Sequence, residues 1–257
     1  MSPVTATAAL RRPVGRHGTS RALGGASLAL AISCIFPAPA FAQWGASLGI
    51  ESDYRLRGYS LTNGDPAATG QLTWDDPSGL YANLAGVARL TDESPEFMGV
   101  IGNIGYARRL SPLVTLDGGV VRSQIRGAGY YARPYHYTEF YAGASVGRVV
   151  GRVYYSPDYR DHGVSTLYGE LEAGFEPAPE WRVSGHVGLL AYLDNRPYEA
   201  AGSTHRDWRV SVSRQFGRVE IHTALSGGGP ADRYYYNHYY YSEHNKPALT
   251  VGASASF

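Results

Sequence analysis

The sequence predicts an all-β chain: a single antiparallel transmembrane β-barrel of about twelve strands, with N and C termini periplasmic. Three observations carry that prediction. Short segments alternate apolar and polar residues along the chain, the connections between them alternate short and long, and aromatic residues gather at segment ends. A barrel in an outer membrane needs all three, because its strands face lipid on one side and a polar interior on the other.

The first element is a leader. Arg11, Arg12, Arg16 and Arg21 precede an apolar run from Ala22 to Phe36, and Ala40-Phe41-Ala42 closes it. A basic region, a short apolar region and an A-x-A end predict a signal peptide over residues 1–42, cleaved after Ala42, with the barrel domain over 43–257. The run is short and diluted by Gly and Ser, and no later stretch approaches the roughly 18 to 20 apolar residues of a spanning helix. Any span must therefore be made of strands.

Losing the four leader arginines leaves nineteen basic against twenty-two acidic residues, a formal charge of −3. That balance lacks a nucleic-acid footprint. Cys34, the only cysteine, is either an ordinary leader residue or a lipidated one. Ala31-Ile32-Ser33 makes a poor lipobox and Ala40-Phe41-Ala42 a better cut. Without Cys34 the mature chain has neither disulfide nor thiol chemistry.

Alternating segments fall at 44–57, 66–75, 80–90, 96–108, 113–125, 135–148, 151–159, 164–175, 181–194, 206–216, 218–228 and 246–257. The short connections include Asp76-Pro77-Ser78-Gly79, Leu110-Ser111-Pro112 and Gly217; between them come mostly longer ones such as 58–65, 126–134, 195–205 and 229–245. Short periplasmic turns and longer outer loops give this parity, which a soluble sandwich has no reason to show. Ten or fourteen strands stay open, since 151–159 is short and 218–228 is Gly-rich.

Two strands display the alternation clearly. Trp181, Val183, Gly185, Val187, Leu189, Ala191 and Leu193 face outward against Arg182, Ser184, His186, Gly188 and Tyr192. The last strand sets Leu249, Val251, Ala253, Ala255 and Phe257 against Thr250, Gly252, Ser254 and Ser256. Ending on Phe257 resembles the terminal signal read by the barrel assembly machinery. Trp44, Trp74, Tyr106, Phe175, Trp181, Phe216 and Phe257 form the expected periplasmic aromatic girdle, with Tyr54, Tyr155, Tyr159 and Trp208 at the outer one. Rings with polar edges suit the headgroup level of membrane lipid.

The stretch from Glu51 to Gly70 is the most informative. Glu51, Asp53, Arg55 and Arg57 alternate with Ile50, Ser52, Tyr54 and Leu56, so a strand would place four charges on one face and a mostly apolar set on the other. Ser52-Asp53-Tyr54-Arg55-Leu56-Arg57-Gly58-Tyr59-Ser60, followed by Gly64-Asp65-Pro66-Ala67-Ala68-Thr69-Gly70, resembles the opening signature of the TorF-type porins. The resemblance covers about twenty residues. It implies a β-barrel in the outer membrane of a Gram-negative bacterium.

The expected pore-lining set is Glu51, Asp53, Arg55, Arg57, Glu139, Arg152, Glu170, Glu172, Arg182, His186, Arg209, Glu220 and His222. Turning an Arg outward at mid-membrane costs roughly 2 to 4 kcal/mol, so the lumen is the cheaper place. These charges either form a selective constriction or pair to brace a narrow, filled barrel, with Arg55 and Arg57 tied to carboxylates such as Glu170 or Glu172. Tyr234 to Tyr241 make a Tyr-rich loop that extends the outer girdle, stacks a sugar or folds inward as a lid. His238, Glu243 and His244 lack strict metal-ligand spacing.

No Gly-x-Ser-x-Gly elbow, phosphate loop or zinc motif occurs. His136 beside Thr138 is the one outward histidine that a lipid hydrolase could use, and Glu170 and Glu172 share a face that could suit acid/base work. The expectation is no enzyme, no cofactor and no metal. The expected function is passive diffusion of small hydrophilic solutes; the alternative is a plugged barrel with a structural or surface-recognition role, and an outer-membrane lipid hydrolase ranks behind both.

Overall fold

A computed structural model describes residues 43–126, 134–194, 204–229 and 246–257. Twelve long strands form a closed antiparallel barrel: β1 (Gln43–Glu51), β4 (Ala67–Asp75), β5 (Leu80–Arg89), β6 (Glu96–Arg109), β7 (Val114–Arg126), β8 (Pro134–Val146), β9 (Val149–Ser156), β10 (Thr166–Ala178), β11 (Trp181–Tyr192), β12 (Thr204–Phe216), β13 (Val219–Gly229) and β14 (Ala248–Ser256). Consecutive strands pair, and β1 closes the ring by pairing with both β4 and β14. Closure leaves no free sheet edge. Two short strands, β2 (Arg55–Leu56) and β3 (Tyr59–Ser60), pair only with each other.

The strands exist because their side chains alternate between two solvents. On β1, Trp44, Leu48 and Ile50 point out and are exposed, while Glu51 points in and is buried. Ile104 on β6 and Leu249 on β14 are likewise exposed at 66% and 69%. The usual arrangement of soluble proteins is inverted here, with an apolar band around the outside and polar groups within. Such a surface is stable only against an apolar medium. Among the described residues no helix is long and apolar enough to cross a membrane.

Both ends of the barrel domain meet at one rim, called here the near end, where the Ala46 amide donates to the Phe257 carbonyl at 3.3 Å. Its turns are tight. At 76–79 the Gly79 amide donates to the Asp76 carbonyl at 2.9 Å, and Gly79 sits at φ +101 with a built Cβ only 2.3 Å from the Ala107 carbonyl oxygen. Only glycine fits that corner. Hydrogen bonds from the Ser78 side chain and amide hold the Asp76 carboxyl below the ordinary aspartate value. At the far end Asp194 plays a similar part, its carboxyl lowered by the Ser165 hydroxyl and by the Ser165 amide at 3.0 Å.

The predicted segments match the strands except the first. Segment 44–57 ends as a strand at Glu51. Of residues 58–65, expected as an outer loop, 58–62 turn into the barrel instead, with Leu61 and Thr62 buried, while Asn63 and Gly64 are exposed. The Tyr-rich loop 234–241, His238, Glu243 and His244, and the leader with Cys34 lie outside the described residues.

Candidate functional site: a hairpin seated in the lumen

Ser52 makes the last rungs of the wall, donating its amide to the Val251 carbonyl at 2.8 Å and accepting at its hydroxyl from the Val251 amide at 3.0 Å. The chain then leaves the wall and folds into the lumen. Asp53 is the organiser of the departure: its carboxylate accepts from Thr62 Oγ1 at 3.1 Å, from the Ser60 hydroxyl and from Arg55 Nη1 at 3.1 Å. Thr62 Oγ1 in turn accepts from the Tyr54 amide at 3.0 Å. A two-residue turn, Arg57 at φ +48 and Gly58 at φ +80, joins β2 to β3. Two successive positive φ values define the I′ turn that suits the twist of a hairpin.

The tip spans the barrel. Gly58 presses on β13, where an added Cβ would lie 2.7 Å from the Gly227 carbonyl oxygen and from Gly228 Cα. Arg57 pays for its left-handed backbone with contacts on the opposite wall. Its Nη2 donates to both carboxylate oxygens of Glu139 on β8 at 2.9 Å, and its guanidinium lies 3.8 Å from the Tyr168 ring centroid. A third hold comes from His205 on β12. Its Nε2 donates to the Arg57 carbonyl at 2.9 Å, which leaves Nδ1 to accept from the Tyr59 hydroxyl at 2.7 Å, and the two rings stack at 4.3 Å. Arg55 also donates to the Gly58 and Lys246 carbonyls, at 2.7 and 3.0 Å.

The hairpin divides the lumen into unlike halves. On the side of β5 to β10 the bore is filled by tyrosines: the hydroxyls of Tyr81 and Tyr141 lie 2.5 Å apart, Tyr154 donates to Glu170 Oε1 at 2.9 Å, and the rings of Tyr141, Tyr154 and Tyr168 follow one another at 5.5 and 5.9 Å. Asp117 ties in Arg152 at 2.9 Å. On the side of β1 and β10 to β14 a hollow of about 200 Å3 remains below the hairpin. Glu51, Glu172, Arg182, Arg209, Glu220 and His222 line it with the hydroxyls of Ser184, Ser211, Ser213, Ser226 and Thr250, and Asp53 and Arg55 form its ceiling.

Residues 38–257 match a family described as a bacterial protein of unknown function (Gcw_chp). The chain belongs to that family. Among solved structures, the Gcw_chp barrel is similar to the NanC porin, with TM-score 0.52 at 10% identity over 84% of this chain and 99% of that one. It is also similar to the KdgM porin, with TM-score 0.50 at 10% identity over 83% and 99% of the two chains. At these identities the likeness is one of fold, and the fold is that of outer-membrane porins. No curated protein matches the sequence.

In this Gcw_chp chain the thirteen candidate residues fall into three groups. Asp53, Arg55 and Arg57 are inside the barrel but on the hairpin, not on a strand of the wall as expected. Glu139, Arg152, Glu170 and His186 are buried in the wall of the filled half or beside it, with His186 Nε2 2.8 Å from Asp207. The remaining six line the hollow, where His222 Nε2 donates to Glu51 at 2.9 Å. Arg57 crosses to Glu139, not to Glu170 or Glu172.

Asp117, His205 and Asp207 went unrecognised from sequence. Strand parity with Val121 and Arg209 marks the two aspartates as inward, while His205 lies one residue before the predicted strand. Of the rings, Trp44, Trp74, Tyr106, Phe175, Trp181, Phe216 and Phe257 lie on the outer surface toward the near end, with Trp44 and Trp74 directly paired. Tyr54 and Tyr159 do not join a far-end girdle: both are buried inside, at 3% and 5% exposure. His136 is outward and 3.1 Å from Asp161, but Thr138 Oγ1 accepts from Arg122 and makes no pair with it.

Proposed function

We propose that the chain is an outer-membrane porin through which small hydrophilic solutes diffuse passively, narrowed by the hairpin of residues 52–62. The observation that carries this reading is the polar hollow beneath the hairpin, enclosed by a wall whose outer face is apolar. The TorF-type resemblance of Ser52 to Ser60 and the porin fold of the similar structures support it. In this reading the leader is cleaved after Ala42, the near end with both termini faces the periplasm, and the strand ending at Phe257 engages the assembly machinery. The outer band meets lipid. The reading needs no catalytic group and no cofactor.

A second reading, a plugged barrel with a structural or surface-recognition role, is favoured by one observation, the two-oxygen clasp of Arg57 on Glu139. Single-channel recording of the mature protein in planar bilayers separates the two. Reproducible conductance steps are expected. A silent bilayer with correctly folded protein would reject the diffusion reading in favour of the plug, and hydrolysis of phospholipid would reject both.

A further inference from the structure

Glu172, His186 and Arg209 stand side by side in register across β10, β11 and β12. Adjacent strands lie about 4.8 Å apart, so the backbones of Glu172 and Arg209 are roughly 10 Å apart on the inner wall. Between them His186 is engaged by Asp207. Glu172 Oε2 is buried and has no hydrogen-bond partner among the described residues. Arg209 has no ion pair among them either, although both side chains line the hollow. The lumen's other buried charges are nearly all paired across it: Arg57 with Glu139, Arg152 with Asp117, His222 with Glu51. Here the Glu172 carboxylate faces the same space as two guanidiniums that form no ion pair among the described residues: Arg209, in its own row across the strands, and Arg182.

We infer that the hollow is a binding site for a small zwitterionic solute of the size and charge pattern of a small α-amino acid. The inference rests on the diffusion reading and names its solute class. The solute's carboxylate accepts the planar fork of Arg209, and its ammonium donates to Glu172 Oε2. Ser184 and Ser211, whose hydroxyls lie 2.6 Å apart on the same wall, supply neutral hydrogen bonds between the two charges. A simple anion would leave Glu172 unsatisfied, a simple cation would leave Arg209 so, and a neutral solute would leave both. The space agrees with the size, since about 200 Å3 is well above the roughly 10 to 15 Å3 that one water needs on the same measure.

Equilibrium dialysis of the refolded mature protein in detergent against radiolabelled L-alanine tests the site. Alanine is expected to be retained, and acetate, methylammonium and glycerol each to compete at least about tenfold less well than unlabelled alanine, the factor for one charge-assisted hydrogen bond. E172Q should cut alanine retention by a similar factor and leave acetate binding undiminished, whereas R209Q should cut both. Acetate competing as well as alanine overturns the inference, as does alanine retention unmoved by E172Q. Should either variant fail to fold, the competition series on the natural sequence decides alone. Retention of alanine beside a silent bilayer rejects diffusion and keeps the site; conductance without retention rejects the site and keeps diffusion.

Discussion

Arg57 concentrates the energetics of the lumen in one side chain. Its guanidinium and the Glu139 carboxylate are 3% and 1% exposed, so removing either leaves the other charged and enclosed. Breaking such a pair costs about 3 to 5 kcal/mol, whereas replacing both partners with apolar residues of similar size is often neutral. R57M or E139L alone should therefore lower the denaturant midpoint of the folded barrel markedly, and R57M/E139L together should recover most of the loss. The folded and unfolded bands on a semi-native gel report both. Equal losses for the single and double variants would mean that the pair contributes little beyond its packing on Tyr168.

At the scale of elements, the hairpin is the departure from what the residues announce. The alternation of Glu51, Asp53, Arg55 and Arg57 continues without a break past the true end of β1, so periodicity alone carries the strand six residues too far. The charged side of that pattern is right about the lumen. Its apolar side is not: Tyr54 and Leu56, read as facing lipid, are buried inside the barrel. A hairpin in the lumen has an interior of its own to fill, and nothing in a period of two distinguishes that interior from a bilayer.

The readable mark is the run Gly58, Asn63 and Gly64, each at positive φ. Gly58 offers a direct test. G58A adds a methyl 2.7 Å from β13 backbone at a φ of +80, where overpacking and backbone strain cost about 1 to 3 kcal/mol. The variant should unseat the hairpin and enlarge the conductance step in bilayers while the barrel remains intact. An unchanged step would place the conducting path away from the hairpin.

For the molecule as a whole, parity of connections and the two-solvent alternation pointed to a closed ring of about twelve strands, with ten and fourteen left open, because both follow from crossing a lipid layer; the ring has twelve. The filling of the lumen was not legible in the same way. Tyr81, Tyr141, Tyr154 and Tyr168 read as ordinary strand residues; the last three are direct partners in the registers of β8, β9 and β10, while Tyr81 on β5 reaches Tyr141 only because the sheet curves around the lumen. In the proposed orientation the near end, with its short turns, faces the periplasm. Protease added to intact cells should cut within residues 230–245 and spare 76–79, 147–148 and 217–218. Cutting confined to the latter would invert the molecule.

The contacts of the hairpin also order events in time. Arg55 reaches the Lys246 carbonyl 191 residues away, and Ser52 is fastened to Val251, so these seats exist only once β14 has docked against β1. Contacts this distant in sequence are the slowest to form. The full set of holds on the hairpin is thus complete only when the ring is, and the closing of the wall and the fastening of what fills it become one event.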